Sequence, residues 1–524
     1  MLKRETVFCG KVASRFNETR YLELLKRLEV SEVMLSKIDL GDRFDAEFFE
    51  KDDLNVEKRL KELKSKELRN YGKFVASAFY PAATQLYEIG DTPFIRCLDC
   101  VKFPIVTKEQ DKTFEKIPLE FVEKQSGVKI LLKGDIVITK VGTPSYASIV
   151  YEHEMVALSR TVLGIQNIKK INKYYLLAFL RSKYGFSQLQ RHRELTIQYQ
   201  LTLERTKKTL IYEASQLLQI NIEKLIHKFI DGLNKSKNLY TKAETLLLQE
   251  IGFNEDLLPS KQEVTGSSPD WITTSAVAKT GIEPNVNVKS FKESFGITGR
   301  LDAEYYQKKY EAVVEKIKSQ KYDILQNIVK INKSIEPGSN YYSDDAADLP
   351  FIRVSDYNKF GLSEPNKKLT STFVNEIQDK IDELKPKKGT ILFSKDGSVG
   401  TAYHLRENLE GVTSSAILHL KVKDEKQVIP EYLTLVLNSK LVQMQAERDA
   451  GGSIILHWRV GEIQKVVVPI IDYTKQQEIA QLIEESFSLK KQSEQLLEIA
   501  KKAVEIAIEE NEEVAMAFIN TNTI

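Results

Sequence analysis

The sequence predicts an α+β protein built as two β-rich bodies in a pseudo-twofold arrangement, separated by two long antiparallel helices that form a coiled-coil spacer. Three observations carry this expectation. The chain is written twice with a displacement of 257 residues, each copy opens with short apolar runs broken by turn signals, and each copy closes in a long stripe of apolar residues at helical spacing.

The repeat holds register over most of the chain. RFDAEFF at 43–49 returns as RLDAEYY at 300–306, and PFIR at 93–96 returns at 350–353. Tyr175, Leu176, Ser182 and Lys183 fall on Tyr432, Leu433, Ser439 and Lys440. In the stripes, Ile222, Leu225, Ile226, Ile230, Leu239, Ala243 and Leu247 fall on Ile479, Leu482, Ile483, Phe487, Leu496, Ala500 and Val504. At 524 residues the chain exceeds what a single core holds, so the copies are separate domains.

In chain order, residues 1–32 form an N-terminal segment without a partner in the second copy, with an amphipathic helix expected at 17–30. A β-rich domain follows at 33–211, carrying a second amphipathic helix at 55–71 with Leu60, Leu63 and Leu68. The central spacer helix occupies 212–253, weakened or bent at Gly232 and Asn234. Residues 254–272 hold Pro259, Gly266 and Pro269 without periodicity and read as a linker. The second β-rich domain spans 273–471, and 472–524 is the terminal spacer helix and tail, helical at 475–511. At 1.5 Å per residue that helix is roughly 55 Å long. Neither stripe is buried alone; laid antiparallel, each covers the other and holds the two domains apart.

Composition bounds the class. Hydrophobic residues make up 42%, no apolar run approaches the length of a membrane span, and no leader precedes the first domain, so a soluble, cytoplasmic protein without a membrane partner is expected. The three cysteines fit reduced thiols rather than a disulfide framework. Net charge is only +2, but residues 1–257 hold 42 Lys and Arg against 35 Asp and Glu, leaving 76 − 42 = 34 against 74 − 35 = 39 in the remainder. Residues 131–210 hold 13 basic and 5 acidic side chains interleaved with Tyr174, Tyr175, Tyr184, Phe186 and Tyr199. That pattern suits a phosphate-facing surface or an ordinary solvated face. Paired similar domains suit a target with two related faces. Duplex DNA is such a target, its major grooves recurring on one face about every 34–36 Å.

Four motifs bear on chemistry. LKGDIVITKVGTPSYA at 132–147 corresponds to KKGTILFSKDGSVGTA at 387–402, each a strand and a Lys-x-Gly turn. The turn lets backbone approach a phosphate beside Lys140 and Thr143, or Lys395 and Ser398, and it equally serves as a hairpin turn. Arg96 and Arg353 each precede an aspartate, Asp99 or Asp356, by three residues, a spacing that favours internal pairing over base reading. Cys97 and Cys100 form a CxxC replaced by Val354 and Tyr357 in the other copy, which points to packing rather than metal. RELTIQYQLT at 193–202 and GGSIILHWRV at 451–460 diverge, as separate readout or loop drift would make them. The candidate contacts there are Arg191, Arg193, Gln198 and Tyr199 in the first copy and Arg448, His457, Trp458 and Arg459 in the second. Phosphate loops, methyltransferase tetrads, HExxH and GxSxG are absent from the sequence, so no catalytic residue, cofactor site or metal site is expected.

Taken together, GRLDAEYY at 299–306, PFIRVSDY at 350–357, KKGTILFSKDGSVG at 387–400, EYLTLVLNSK at 431–440 and KVVVPIIDYTKQQEIAQLI at 465–483 resemble the specificity subunit of type I restriction–modification systems, over nearly the whole chain. The resemblance implies that 33–211 and 273–471 are target recognition domains. It implies a non-catalytic scaffold that binds a bipartite double-stranded DNA site and docks two methyltransferase subunits, which carry S-adenosylmethionine, beside restriction or motor subunits. Two departures stand out. The first junction, ERTKKTLIYEASQ, lacks the proline and EQ step found at Pro469 and Gln476–Glu478, and the first turn, KVGTPSYA, lacks the second glycine. Two other readings fit the same residues: a specificity subunit of a system whose partner combines methylation and cleavage, and a duplicated coiled-coil scaffold with a protein ligand.

Overall fold

The computed structural model describes residues 45–78, 84–87, 89–108, 114–195, 199–254, 287–343, 345, 348–451 and 455–523, with 25, 31 and 33. The expected helix at 17–30 and the 254–272 linker lie outside the described residues, apart from Leu25 and Asn254. The chain divides into two compact units, Met1–Leu233 with Lys491–Ile524, and Asn234–Lys490.

Each unit contains the same pair of sheets. In the first, Lys73–Ala76, Val162–Gln166, Ile136–Thr139, Ala147–Val150 and Ile105–Val106 form a five-stranded sheet in that order. Beside it lies a four-stranded sheet of Glu115–Ile117, Thr92–Ile95, Met155–Leu158 and Ile130–Leu132. In the second unit, Val329–Lys333, Ile417–Val422, Ile391–Ser394 and Ala402–His404 reproduce the first sheet. Tyr342–Ser343, Lys367–Leu369, Leu349–Ile352 and Val412–Thr413 make up the other. The parallel pairing of Phe94 with Ala157 recurs as Phe351 with Val412, so the repeat in the sequence is a repeat of topology. The central strands Ile136–Thr139 and Ile391–Ser394 are buried at every position, which is why they read as continuous apolar runs rather than alternating ones.

A helical hairpin packs on the first-named sheet of each unit, Lys173–Arg181 with Lys183–Arg191 and Pro430–Asn438 with Lys440–Asp449. Asn172 and Ser182 cap the first pair through their side-chain oxygens, and Pro430 opens its partner at the position where a missing N–H costs nothing. The buried tyrosine of each hairpin reaches the chain that leads into the long helix. Tyr175 Oη donates to the Tyr212 carbonyl at 2.7 Å and Tyr432 Oη to the Pro469 carbonyl at 2.8 Å.

Two glutamines complete each junction. The Gln188 amide donates to the Leu210 carbonyl at 3.0 Å and accepts from its N–H at 2.8 Å; Gln445 does the same to Val467, at 2.9 Å both ways. Gln476 accepts from Ile429 N and donates to the Ile471 carbonyl, while Gln219 accepts from Asn172 N and donates to the Ala214 carbonyl. The first junction, which lacks the proline and EQ step in sequence, therefore makes the same bonds through Gln219.

The long helices run Gln216–Ile251 and Tyr473–Glu509. The first starts at Gln216 rather than 212, residues 212–215 being non-helical with the Tyr212 and Ala214 carbonyls accepting from Tyr175 and Gln219, and it continues as helix through Gly232 and Asn234. In the first unit Leu218, Ile222, Leu225, Ile226, Phe229 and Ile230 share a core with Leu497, Ala500, Ala503, Val504 and Ile508. In the second unit Tyr240, Ala243, Leu247 and Ile251 share one with Ile479, Leu482 and Ile483. There Ser236 meets Ser486 and Glu250 meets Lys475, so the segments are antiparallel.

Two expectations are corrected. The helix placed at 55–71 is Lys51–Glu62, ended by Lys64 at φ 53° with Ser65 N bonded back to the Leu60 carbonyl. The tail beyond 511 contains a helix, Glu512–Asn522, capped by Asn511 and burying Ala515 and Ile519. Among the described residues no helix is long and apolar enough to cross a membrane.

Two measurements check these packing arguments. Gln445→Leu fills similar volume but leaves the Val467 N–H and carbonyl without partners, so urea denaturation should show a loss of about 1–3 kcal/mol for each orphaned group. Burial pushes His419, 2.8 Å from Thr413 Oγ1, down from 6.5 to about 4. Between those values the unfolded chain binds the additional proton, so this contribution is complete above about pH 6.5 and is lost as pH falls toward 4. His419→Gln should flatten the slope of Tm against pH in that window.

Candidate nucleic-acid interface

The Lys-x-Gly turns are built identically from different residues. Thr139 in one unit and Ser394 in the other close the loop by accepting from Tyr146 N at 2.8 Å and Thr401 N at 2.9 Å through the side-chain hydroxyl. Gly142 and Gly397 sit at φ 89° and 74° with nothing within 4 Å of where a Cβ would be, so their need is conformational, and the turn's outer side is clear. Gly400 at φ 81° has Ser145 as its counterpart at φ 87°. The missing second glycine thus leaves the geometry unchanged. The serine is held in a region that costs of order 1–3 kcal/mol, a strain that collects where backbone is held for function.

Each turn is laid against the divergent segment. Val141 bridges Gln200 and Asp396 bridges His457, both antiparallel. Lys140 O accepts from Leu201 N at 2.8 Å, and Lys395 O from Trp458 N at 2.7 Å. Arg193–Leu195 and Tyr199–Leu201 form a short hairpin in the first unit, while Gly451 and His457 exchange two backbone bonds in the second. Lys140, Thr143, Arg193 and Tyr199 are brought together in this way, as are Lys395, Ser398 and His457. Thr143 and Ser398 are exposed at the turn tips.

Electrostatics differ between the units. The Arg193 guanidinium lies over the Tyr199 ring at 4.3 Å and donates to the Gln190 carbonyl at 2.8 Å, which leaves a cation held flat at the surface. In the second unit Asp396 is bracketed by Lys395 and by His457 Nδ1 at 2.8 Å, and His457 is 63% exposed. Ile455 and Leu456 stand exposed beside it.

Several other candidates are engaged within their own unit. The Arg191 side chain is 8% exposed, donating to the Phe48 carbonyl, pairing with Glu57 and stacking on Phe48 at 4.2 Å. Trp458 is 1% exposed and packs on Phe393 with ring centroids 5.8 Å apart. Arg448 is bound to Asp449 at 2.7 Å and lies over Tyr305, apart from the turn. Arg459 is exposed and caps the Val460–Ile463 turn, and Gln198 lies outside the described residues. Arg96 and Arg353 face their own aspartates, whose carboxylates accept from the arginine backbone N–H at 2.9 and 2.8 Å and lie 3.3 and 3.7 Å from the guanidinium Nε. Cys100 is buried, where burial pushes its thiol up, and Cys97 contacts the Thr143 carbonyl from below the turn. One supporting residue has no sequence signal: Gln190, whose amide donates to the Pro144 carbonyl while its own carbonyl holds Arg193.

Residues 319–499 match the family model described as type I restriction modification DNA specificity domain. Solved structures similar to the chain include a type I restriction-modification S subunit from M. genitalium, at 10% identity and TM-score 0.33 over 87% of this chain and 95% of that one. An HsdS subunit from Thermoanaerobacter tengcongensis is similar at 13% identity and TM-score 0.25, over 75% and 81%. No curated protein matches.

The bridges give a direct check of the interface. Cysteine pairs at Val141 with Gln200 and at Asp396 with His457 occupy directly opposed antiparallel positions, within the reach of a disulfide. Peptide mapping under non-reducing conditions should find both crosslinks after mild oxidation.

Proposed function

From a chain whose residues 319–499 belong to the type I restriction modification DNA specificity family, we propose a non-catalytic subunit that reads a bipartite site on duplex DNA for partner enzymes. In this reading the target recognition domains are 33–211 and 273–471, each contributing one half-site, and the helices at 212–253 and 472–524 set the spacing between them. Two methyltransferase subunits carrying S-adenosylmethionine dock on the chain, and restriction or motor subunits join them.

One observation supports this reading above the others: the same turn-and-hairpin platform occurs in both units with different side chains upon it. A constant frame with variable contents is what two heads of unlike sequence preference require. The contacts sort by chemistry. Lys140, Lys395, Thr143 and Ser398, at turns whose backbone is open, suit phosphate, which fixes position without reading sequence. Arg193, Tyr199 and His457 stand on the hairpins and suit base edges, a guanidinium being the commonest reader of guanine. Trp458 and Arg191 support these hairpins from within.

The test is DNA binding by the chain together with its methyltransferase partner, measured across a salt series. Lys395→Ala should weaken binding to all sequences alike and reduce the slope of log K against log salt by about 1, whereas Arg193→Ala should cost about 1–3 kcal/mol and relax preference at one position. Binding indifferent to salt and to both substitutions would overturn the proposal.

A further inference from the structure

The second unit also holds a cluster that plays no part in reading DNA. His404, on the strand Ala402–His404, Glu431, on the helix Pro430–Asn438, and Glu484, on Tyr473–Glu509, each bring one ligand atom within 4.8 Å of the others. His404 is 8% exposed, and neither ring nitrogen has a hydrogen-bond partner. Its Nδ1 lies 3.2 Å from Glu431 Oε1 but outside hydrogen-bond geometry. Buried polar atoms are normally satisfied, so a doubly unpartnered imidazole facing two carboxylates asks for an occupant.

The pocket is small, with about 10 Å³ of free space, and partly open, with Tyr240, Thr434 and Phe487 in its wall. Arg406 donates to Glu484 Oε1 at 2.7 Å while its guanidinium stacks on Phe487 at 3.5 Å. Lys359 at the rim is paired with Glu244 at 2.8 Å. Two carboxylates against the single Arg406 leave a negative balance around the imidazole.

The first copy supplies an internal comparison. Ile136 pairs with Ile149 as Ile391 pairs with His404, so Ile149 is the counterpart of the imidazole. Glu431 and Glu484 correspond to Tyr174 and His227, whose rings pack edge to face at 4.6 Å, with Tyr151 in the place of Arg406. There the same space is closed by aromatic packing. The ligand set therefore belongs to one copy alone and is not a demand of the fold.

We propose that His404, Glu431 and Glu484 bind a divalent metal ion of the zinc class, water completing its coordination. One imidazole and two carboxylates are a ligand set zinc accepts, at bond lengths of about 2.0–2.2 Å, which small side-chain rotations reach from the present spacing. Arg406 orients the Glu484 carboxylate, as outer hydrogen bonds to metal ligands do. The three ligands lie far apart in sequence, so the ion ties the terminal long helix to the sheet and to the helical hairpin of this unit, where closing long loops stabilises most.

The site is independent of the DNA reading and is tested on the full chain after chelator treatment, with Zn²⁺ in calorimetry and Co²⁺ in absorption. One equivalent of Zn²⁺ should bind with a rise in Tm, and Co²⁺ should give a visible ligand-field band without the thiolate charge-transfer band that Cys97 and Cys100 would produce. Glu484→Gln and Glu431→Gln should each weaken Zn²⁺ at least about tenfold. Tyr174→Phe should leave affinity and stoichiometry unchanged. Glu484 is 49% exposed, so its variant folds, which circular dichroism verifies. Failure of Zn²⁺ to saturate one site, or equal affinity in wild type and both glutamine variants, would overturn the assignment.

Discussion

Seating each long helix on its β-rich body falls to side-chain amides, three of them buried and Gln219 half-buried. Gln188 and Gln445 take both backbone groups of the residue preceding each junction, and Gln219 and Gln476 take the N–H that opens the helical hairpin. These backbone groups would otherwise be sealed from water with no partner, so the bonds are demanded by burial rather than added to it. The direction in which the long helix leaves the body, and hence which apolar stripe it presents, follows from them. In the first unit the hairpin helix fixed this way also carries Gln190 to the turn, with Arg193 on the strand that follows it.

The turn and its hairpin show how a constant frame holds changeable contents. Backbone bonds join them in both units, so the platform does not depend on which side chains stand upon it. The strain at Ser145 follows from the same economy. A residue that dislikes its backbone conformation is kept there by the Thr139 bonds on either side, since the loop's shape is set by its closing hydroxyl and not by local preference.

Much of the fold was legible in the sequence because duplication supplies a second reading of every element. Stripes matched at Ile222 and Ile479 and runs matched at Pro93 and Pro350 gave the long helices and the β-rich stretches before them. What escaped was local. Nothing in the letters around Lys64 announces a left-handed residue, and the helix at 512–522 is signalled only by Asn511 before two glutamates. The junction amide Gln219 was hidden because its neighbours differ from those of Gln476. At the interface, residue type named a mixed set. Trp458 and Arg191 share the chemistry of readers, but burial and pairing with Phe393 or Glu57 decide their role, and burial is not written in a residue's identity. Arg193 and His457, named by the same residue types, are set apart from the rest only by the pairing that places them beside their turns.

Near-identical junctions carry a hazard for a chain that contains its own twin. The strand ahead of either long helix would suit the other copy's glutamine as well as its own, since Leu210 and Val467 ask for the same two bonds. Mispaired halves would be separated from the native state only by side chains that differ between copies. The aromatic trio at Tyr151, Tyr174 and His227, against the ionic group at His404, Glu431 and Glu484, is such a difference. Exchanging the helices would set a carboxylate among rings in one unit and leave His404 facing an imidazole in the other. Asymmetry at this spot thus marks the two halves apart, rings in one and an ionic group in the other.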